Sequence, residues 1–246
     1  MPSKAYYDLH IHSCLSPCGD DEMTPANIVG MASLKGLNIL ALTDHNSTLN
    51  CPAFFDICSN FNITPIAGTE VTTIEDIHVL TLFESLEGAM DFNEFLKTKR
   101  VLFKNKPEVF GRQLVVNSND EIIDEEENLL INATTISIDE ISKIANTYSG
   151  VAIPAHIEKD SNSLVAVLGT VVDSGFRSYE FKDLERLPEF KERYNLLNGK
   201  AFISNSDAHY LWDINEQINS FDIFSDLSDV VSVRNEVFSY LRGKVQ

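Results

Sequence analysis

The side chains able to do chemistry in this sequence are gathered in a few short stretches. Tyr6-Tyr7-Asp8-Leu9-His10-Ile11-His12 sets histidines at i and i+2. On an extended strand such residues share a face, so His10 and His12 point the same way and make half of a metal site. Thr43-Asp44-His45-Asn46, Gly68-Thr69-Glu70, Asp76-Ile77-His78, Pro154-Ala155-His156 and Ser206-Asp207-Ala208-His209 offer further imidazoles and carboxylates. All six histidines of the chain fall in these stretches. Nitrogen and oxygen donors in this mixture suit zinc, manganese or iron. With Glu70, Asp207 and an acidic loop residue they make nine donors, more than the roughly four to six that one cation takes. The surplus implies a cluster, with a carboxylate such as Glu70 bridging ions and a hydroxide between them serving as nucleophile at neutral pH. An anionic, hard-to-attack centre gains most from this, above all a phosphate ester. No Ser-His-Asp signature and no phosphate-cradling glycine loop is present.

The elements that must position these groups follow one another in order. Thr24-Pro25 is an N-cap with proline at the first helical position, and Gly36 ends that helix. Residues 37–42 form a continuous apolar run, the mark of a strand covered on both faces, and lead into Asp44-His45. The pattern predicts a helix over 50–61, a strand over 65–68 running to Glu70, and a strand over 77–83 beginning at His78. Segment 84–135 breaks the alternation with a helix over 86–102, a basic patch (Lys97, Lys99, Arg100, Lys104, Lys106) and two short strands within 113–123. It holds no candidate ligand and is expected to be an insertion, either a lid or substrate-selecting segment or a solvated elaboration. Its acidic run 124–127 is expected to be solvated surface. Ser137 and Glu140 form a capping box opening a helix to Tyr148. Then come a strand over 150–156, a helix over 163–173, a strand over 178–181, a helix over 184–197, a strand over 200–204 and a helix over 228–241. Alternating strands and helices predict one α/β barrel-like domain over 1–246, its site at the carboxyl rim of the strands.

Composition narrows the function. The chain is 43 % hydrophobic and 23 % charged, as soluble globular proteins are, and carries a formal charge of −18. A protein that grips nucleic acid along its backbone neutralises phosphates with Lys and Arg, so no stable nucleic-acid complex is expected. A small phosphorylated substrate at a metal-rich spot remains compatible, because the cations supply local positive charge. No apolar stretch is long enough for a signal peptide or membrane span, so a cytoplasmic protein without membrane contact is expected. Cys14, Cys18, Cys51 and Cys58 are then expected as free thiols, with Cys51 and Cys58 on one buried helix face.

The ordered set Asp8-Leu9-His10-Ile11-His12, Thr43-Asp44-His45, Gly68-Thr69-Glu70, His78-Val79-Leu80, Ala155-His156 and Ser206-Asp207-Ala208-His209 resembles the PHP family, named for polymerase and histidinol phosphatase. The resemblance runs from residue 5 to about residue 210. It implies a distorted (β/α)7 TIM-like barrel with an inserted α/β segment, two to three divalent metal ions (Zn, Mn or Fe), and hydrolysis of phosphate esters. The insertion and the standalone chain are similar to the bacterial branch of nucleotide phosphatases. Carried over by position, His10, His12, Glu70 and Asp207 hold one ion; Glu70, His78 and His156 a second; His45, His209 and a loop residue a third. Asp20 is the favoured loop residue, though it aligns only across a few extra residues, and Cys18 stands where some members carry histidine. Lys159 replaces an arginine that clamps phosphate in related phosphatases; it keeps the charge without the two-pronged geometry. Asp8, on the same strand face as His10, is expected to orient an imidazole, and Asp44 to support catalysis in a similar way. The expected function is a metal-dependent phosphoesterase acting on a phosphomonoester of a small metabolite, a nucleotide above all, by a metal-activated hydroxide. The alternatives are an exonuclease acting on oligonucleotide ends and a non-catalytic module braced by its metals.

Overall fold

The computed structural model describes residues 1–244. Its elements are β1 (Ser3–Ile11), α1 (Pro25–Leu34), β2 (Ile39–Leu42), α2 (Cys51–Cys58), β3 (Thr64–Thr72), β4 (His78–Phe83), α3 (Leu86–Lys97), α4 (Pro107–Phe110), β5 (Leu114–Val116), β6 (Ile122–Glu125), α5 (Ile138–Thr147), β7 (Gly150–Pro154), α6 (Leu164–Leu168), β8 (Ser178–Glu180), α7 (Leu187–Arg193), β9 (Ala201–Ile203), β10 (Ser220–Ile223) and α8 (Val230–Leu241). Six strands form a curled sheet in the order β10-β1-β2-β3-β4-β7, and β8 and β9 make a separate parallel pair. Ile157 N–H donates to the Glu180 carbonyl, and Ile11 bridges to Ala208, so this pair sits between β7 and the end of β1.

The fold is therefore mixed α/β with a curled half-barrel sheet, and the (β/α)7 regularity is met only in part. β1, β2 and β3 are parallel, as the apolar runs imply, but β4 runs antiparallel to both β3 and β7, and β10 antiparallel to β1. The reversal of β4 explains why His78 begins its strand while the other ligands end theirs. Thr72 pairs with His78, so a hairpin returns this histidine to the same rim and the same face as Glu70.

Two apolar layers fix the sheet. Helices α1, α2, α3 and α5 cover its outer face, with Ile28, Phe54, Phe92 and Ile141 against Leu40, Leu42, Ala67 and Val79. The inner face holds Tyr7, Leu9, Ile39, Ala41, Ile66, Leu80 and Ile153, closed from below by Val233, Val237, Phe238 and Leu241 of α8. Burying each large side chain contributes about 1.5–3 kcal/mol. α8 is pinned to the end away from the histidines: Arg234 donates to the Pro65 carbonyl at 3.1 Å, and Arg242 to the Ser149 carbonyl at 3.4 Å.

Strand β1 contains the feature that aims the site. Its pairing with β2 runs Tyr7 to Ile39 and Asp8 to Leu40, but then Ile11 to Leu42, so one extra residue is accommodated between Asp8 and Ile11. Such a bulge reverses the alternation beyond it. Tyr7 and Leu9 join the inner layer, whereas Ile11 joins the outer one. His10 and His12 consequently also point inward, and Asp8 does not share their face.

Several elements are shorter than the sequence pattern predicts. The helix expected over 86–102 ends at Lys97, and that over 163–173 ends at Leu168, where Gly169 turns left-handed at φ +70°. The helix over 184–197 breaks into α7 and flanking single 3₁₀ turns, and β10 has no counterpart in the sequence reading. Helix α3 belongs to the outer layer through Ala89, Phe92 and Leu96. Beyond it, the β5–β6 hairpin packs Leu114 and Val116 on Cys14, and Val115 on Leu15 and Leu130. Asn46 donates to the carbonyls of Leu130 (2.7 Å) and Asn132 (2.9 Å), and Asn50 to that of Leu114 (3.0 Å). The acidic run is partly paired, Glu125 with Arg112 and Glu126 with Arg100. All four cysteines are free thiols, and Cys51 and Cys58 are buried on α2. No helix among the described residues is long and apolar enough to cross a membrane.

Candidate metal centre

Glu70, buried at the end of β3, is the hub. Its Oε1 lies 2.9 Å from His78 Nδ1, 3.3 Å from His156 Nε2 and 3.4 Å from His10 Nε2. Its Oε2 lies 3.1 Å from His45 Nδ1 and 3.4 Å from His12 Nε2. Asp207 Oδ1 approaches the Nε2 atoms of His10 (3.3 Å) and His12 (3.4 Å), and His209 Nδ1 at 3.8 Å. Potential ligand atoms converge in three groups: His10, His12, Glu70 and Asp207; His45, Glu70 and His78; and His12, His45 and His209. His156 and Asp207 sit in left-handed backbone, at φ +30° and +54°. That conformation costs a non-glycine residue about 1–3 kcal/mol and turns the side chain off the line of its strand.

The outer hydrogen bonds say which ring nitrogens carry protons. Both oxygens of Glu180 lie 3.1 Å from His10 Nδ1, which must therefore donate. Ser16 Oγ donates to Asp44 Oδ1 (2.7 Å) and accepts from His45 N–H (3.1 Å), leaving a lone pair for His12 Nδ1–H at 3.0 Å. In the neutral rings the two Nε2 atoms are then bare acceptors, yet they lie 3.1 Å apart and face carboxylate oxygens. Acceptors crowd in this way when positive charge sits among them. His156 Nδ1 is buried without a hydrogen-bond partner, as is His45 Nδ1 despite its approach to Glu70. The donor set fits a cluster of divalent cations.

Titration behaviour carries the same message. Burial opposes charge on His10, but Glu180, Asp207 and Glu70 outweigh it and hold the ring well above its ordinary pKa. Burial would raise Glu70, but His78 and His10 hold it well below the usual carboxylate range, and His10 with His12 does the same for Asp207. Burial and the charge at His209 take His12 down to about 4.

Other expected residues fall in different places. Asp8 orients no imidazole: its carboxylate accepts the backbone N–H groups of His10 (3.5 Å), Ser206 (3.1 Å) and Asn215 (3.0 Å), so it secures the loop that carries Asp207. Asp44 accepts from the Ser13 amide, the Ser13 hydroxyl and the Ser16 hydroxyl, each at 2.7 Å, and acts on His12 through Ser16. Neither the Asp20 carboxylate nor the Cys18 thiol joins a convergent group among the described residues. Asp20 instead accepts from Glu22 N–H at 2.8 Å, while its own N–H donates to the His209 carbonyl at 3.0 Å. Lys159 Nζ donates to Asp207 Oδ2 at 2.5 Å; burial disfavours its charge, but Asp207 keeps its pKa raised. A cavity of about 140 Å³ opens above the cluster, bounded by His45, His78, His156, His209, Lys159 and Asn162, among others, and by no residue of 84–135. Two larger clefts lie elsewhere; the chemistry belongs to the smaller one because the ligand atoms converge there.

Glu180 is the residue the sequence reading missed. It also accepts from Asn205 Nδ2 (2.7 Å) and His156 N–H (2.8 Å), tying β8 to two ligand-bearing loops. A glutamate between aromatic residues in a buried strand, Ser178-Tyr179-Glu180-Phe181, must be paired. Glu180→Gln is expected to weaken cation binding by roughly 10–100-fold with the fold retained, as read by chelator competition; unchanged affinity would show that His10 needs no such support.

Known proteins resemble this chain to different extents. The sequence profile of the PHP domain matches residues 8–158. An uncharacterized protein of Methanocaldococcus jannaschii is 32 % identical over 76 residues, an alignment covering 28 % of this chain and 44 % of that one. Among solved structures, the lesion-specific endonuclease Q of Pyrococcus furiosus superposes with a TM-score of 0.60 at 20 % identity over 85 % of this chain, which spans about half of it (49 %). An amidohydrolase from Chromobacterium violaceum gives 0.57 at 16 % identity, covering 94 % of this chain and 97 % of that one. A candidate metal-dependent phosphoesterase from Bifidobacterium adolescentis gives 0.55 at 17 %, covering 100 % and 99 %. These structural likenesses establish a shared fold. The profile match covers well over half of the chain and ends just past His156, and on that ground the chain belongs to the PHP domain family.

Proposed function

We propose that the chain is a metal-dependent phosphoesterase that hydrolyses a phosphomonoester of a small metabolite, with a nucleotide as the preferred class, in a cytoplasmic setting. The observation that carries this reading is the approach of five imidazoles to Glu70 beneath an open cavity edged by a charged lysine. Two to three divalent ions, zinc, manganese or iron, would supply Lewis acidity and a water activated at neutral pH. His10, His12, Glu70 and Asp207 would hold the first; His78 and His156 would share Glu70 in the second; His45 and His209 would hold the third, with Asp20 or Cys18 drawn in only by movement of their loop. Lys159, poised on Asp207, neutralises a phosphoryl oxygen and steadies charge developing there. Asp44 acts by positioning, since Ser13 and Ser16 occupy its oxygens. The segment 84–135 acts as a brace, fixing the loops of Cys14, Asn46 and Asn50.

A cavity of about 140 Å³ admits the phosphoryl end of a substrate and leaves the remainder outside. This also favours a second reading, removal of nucleotides from an oligonucleotide end; the charge of −18 ranks it lower. Dependence of rate on substrate length separates the two. The primary test is a panel of phosphomonoesters with added Mn²⁺: at least one should turn over, and failure on all of them with metal demonstrably bound overturns the reading. Lys159→Ala should lower kcat/KM by roughly 10–100-fold, the worth of a hydrogen bond to a charged group, and Lys159→Arg should restore most of it. An alanine variant as active as the parent would remove Lys159 from the mechanism.

A further inference from the structure

A cleft of about 420 Å³ lies at the far end of the sheet from the histidines. It occupies the gap where β7 is the last strand of its sheet, so the edge of Gly150, Val151 and Ala152 facing β8 has no ladder partner. Its other walls are Ser142, Lys143 and Asn146 on α5, the loop before β8 with Gly175 and Arg177, and Arg242 after α8. Among the described residues no carboxylate lines it, in a chain with 37 acidic residues against 19 basic ones. Arg242 is engaged by Glu84 and the Ser149 carbonyl, and Ser174 donates to Asp139. Among the described residues the side chains of Ser142, Lys143, Asn146 and Arg177 have no hydrogen-bond or ion-pair partner. Gly175, at φ +85°, keeps the space open: a Cβ there would come within 3.2 Å of Ser142 Oγ.

We infer that this cleft is a second anion site, separate from the metal centre, which takes a small phosphate-bearing molecule. A tetrahedral oxyanion can accept at once from a guanidinium fork, an ammonium, a hydroxyl, an amide and bare strand-edge N–H groups, and the cleft falls in the size range of metabolite sites. The inference does not rest on the activity proposed for the metal centre. β7 joins the cleft at Gly150 to His156, so occupancy would bear on the strand that carries a ligand.

Calorimetric titration of the full, metal-loaded chain with inorganic phosphate and with phenylphosphonate, which resists hydrolysis, tests the inference. Two classes of site are expected. In Lys143→Ala/Arg177→Ala one class should weaken at least about tenfold, while Lys159→Ala should affect only the other. Both substituted residues are exposed, so an unchanged melting midpoint should confirm the fold. A single class of site in the parent chain, or a double variant that titrates like the parent, overturns the proposal; response to inorganic phosphate but not phenylphosphonate would restrict the ligand to the free ion.

Discussion

Replacing Glu70 by glutamine should lower kcat/KM by about a thousandfold or more and strip most of the bound metal, the largest single effect expected in this chain. The substitution keeps the volume and removes one charge, so packing at the end of β3 is preserved. What disappears is the only carboxylate among the described residues that touches His10, His12, His45, His78 and His156 together. An amide NH₂ in that place would donate where cations must sit, and each ion grouped on Glu70 would lose an anionic partner. Loss of one preorganised electrostatic group at a reaction centre commonly costs 10²–10³, and here at least two ions depend on the same group, so the upper end of that range (~10³) applies. Metal content after dialysis and steady-state kinetics give the two readouts, with circular dichroism for the fold. A Glu70→Gln protein that retains its metal and a tenth or so of its activity would show that the ions are not bridged there.

Removing the metal should cost the fold more than any surface change. Six histidines, Glu70 and Asp207 converge on one pocket. A ligand that binds only the folded chain, present at about a thousand times its dissociation constant, adds roughly 4 kcal/mol. For a chain of this length each kcal/mol moves the melting midpoint by about 2–4 °C, so chelation should lower it by roughly 8–16 °C. Restoring Zn²⁺ or Mn²⁺ should reverse the change. The metal-free protein retains ion pairs such as His78 with Glu70, which is why it should soften and not unfold. A melting midpoint indifferent to chelation, with loss of metal verified, would show that the cluster contributes nothing to stability.

The histidines were legible in the sequence because a strand end is a narrow target: polar groups there follow an apolar run and have nowhere to go but the rim. The outer helices and the capping box of α5 were legible for an equally local reason, since each is set by residues three or four apart. What escaped was decided at long range. β4 is the exception, because the few residues between Thr72 and His78 are too short for a parallel crossover and already imply antiparallel pairing; β10, by contrast, is four residues whose partner lies more than two hundred positions earlier. Glu180 meets His10 across 170 residues, so only its burial among aromatics could have marked it. A period of two carried straight through Asp8, Leu9 and His10 places Asp8 on the wrong face, because the pairing slips there.

That slip has a consequence for reading relatives of this chain. The letters Asp-Leu-His-Ile-His do not by themselves say which way the rings face; the surplus residue beside them does. A chain with the same five letters on an evenly paired strand would aim both imidazoles at the outer helices, away from Glu70. Resemblance at this spot is therefore better judged by strand offset than by spelling.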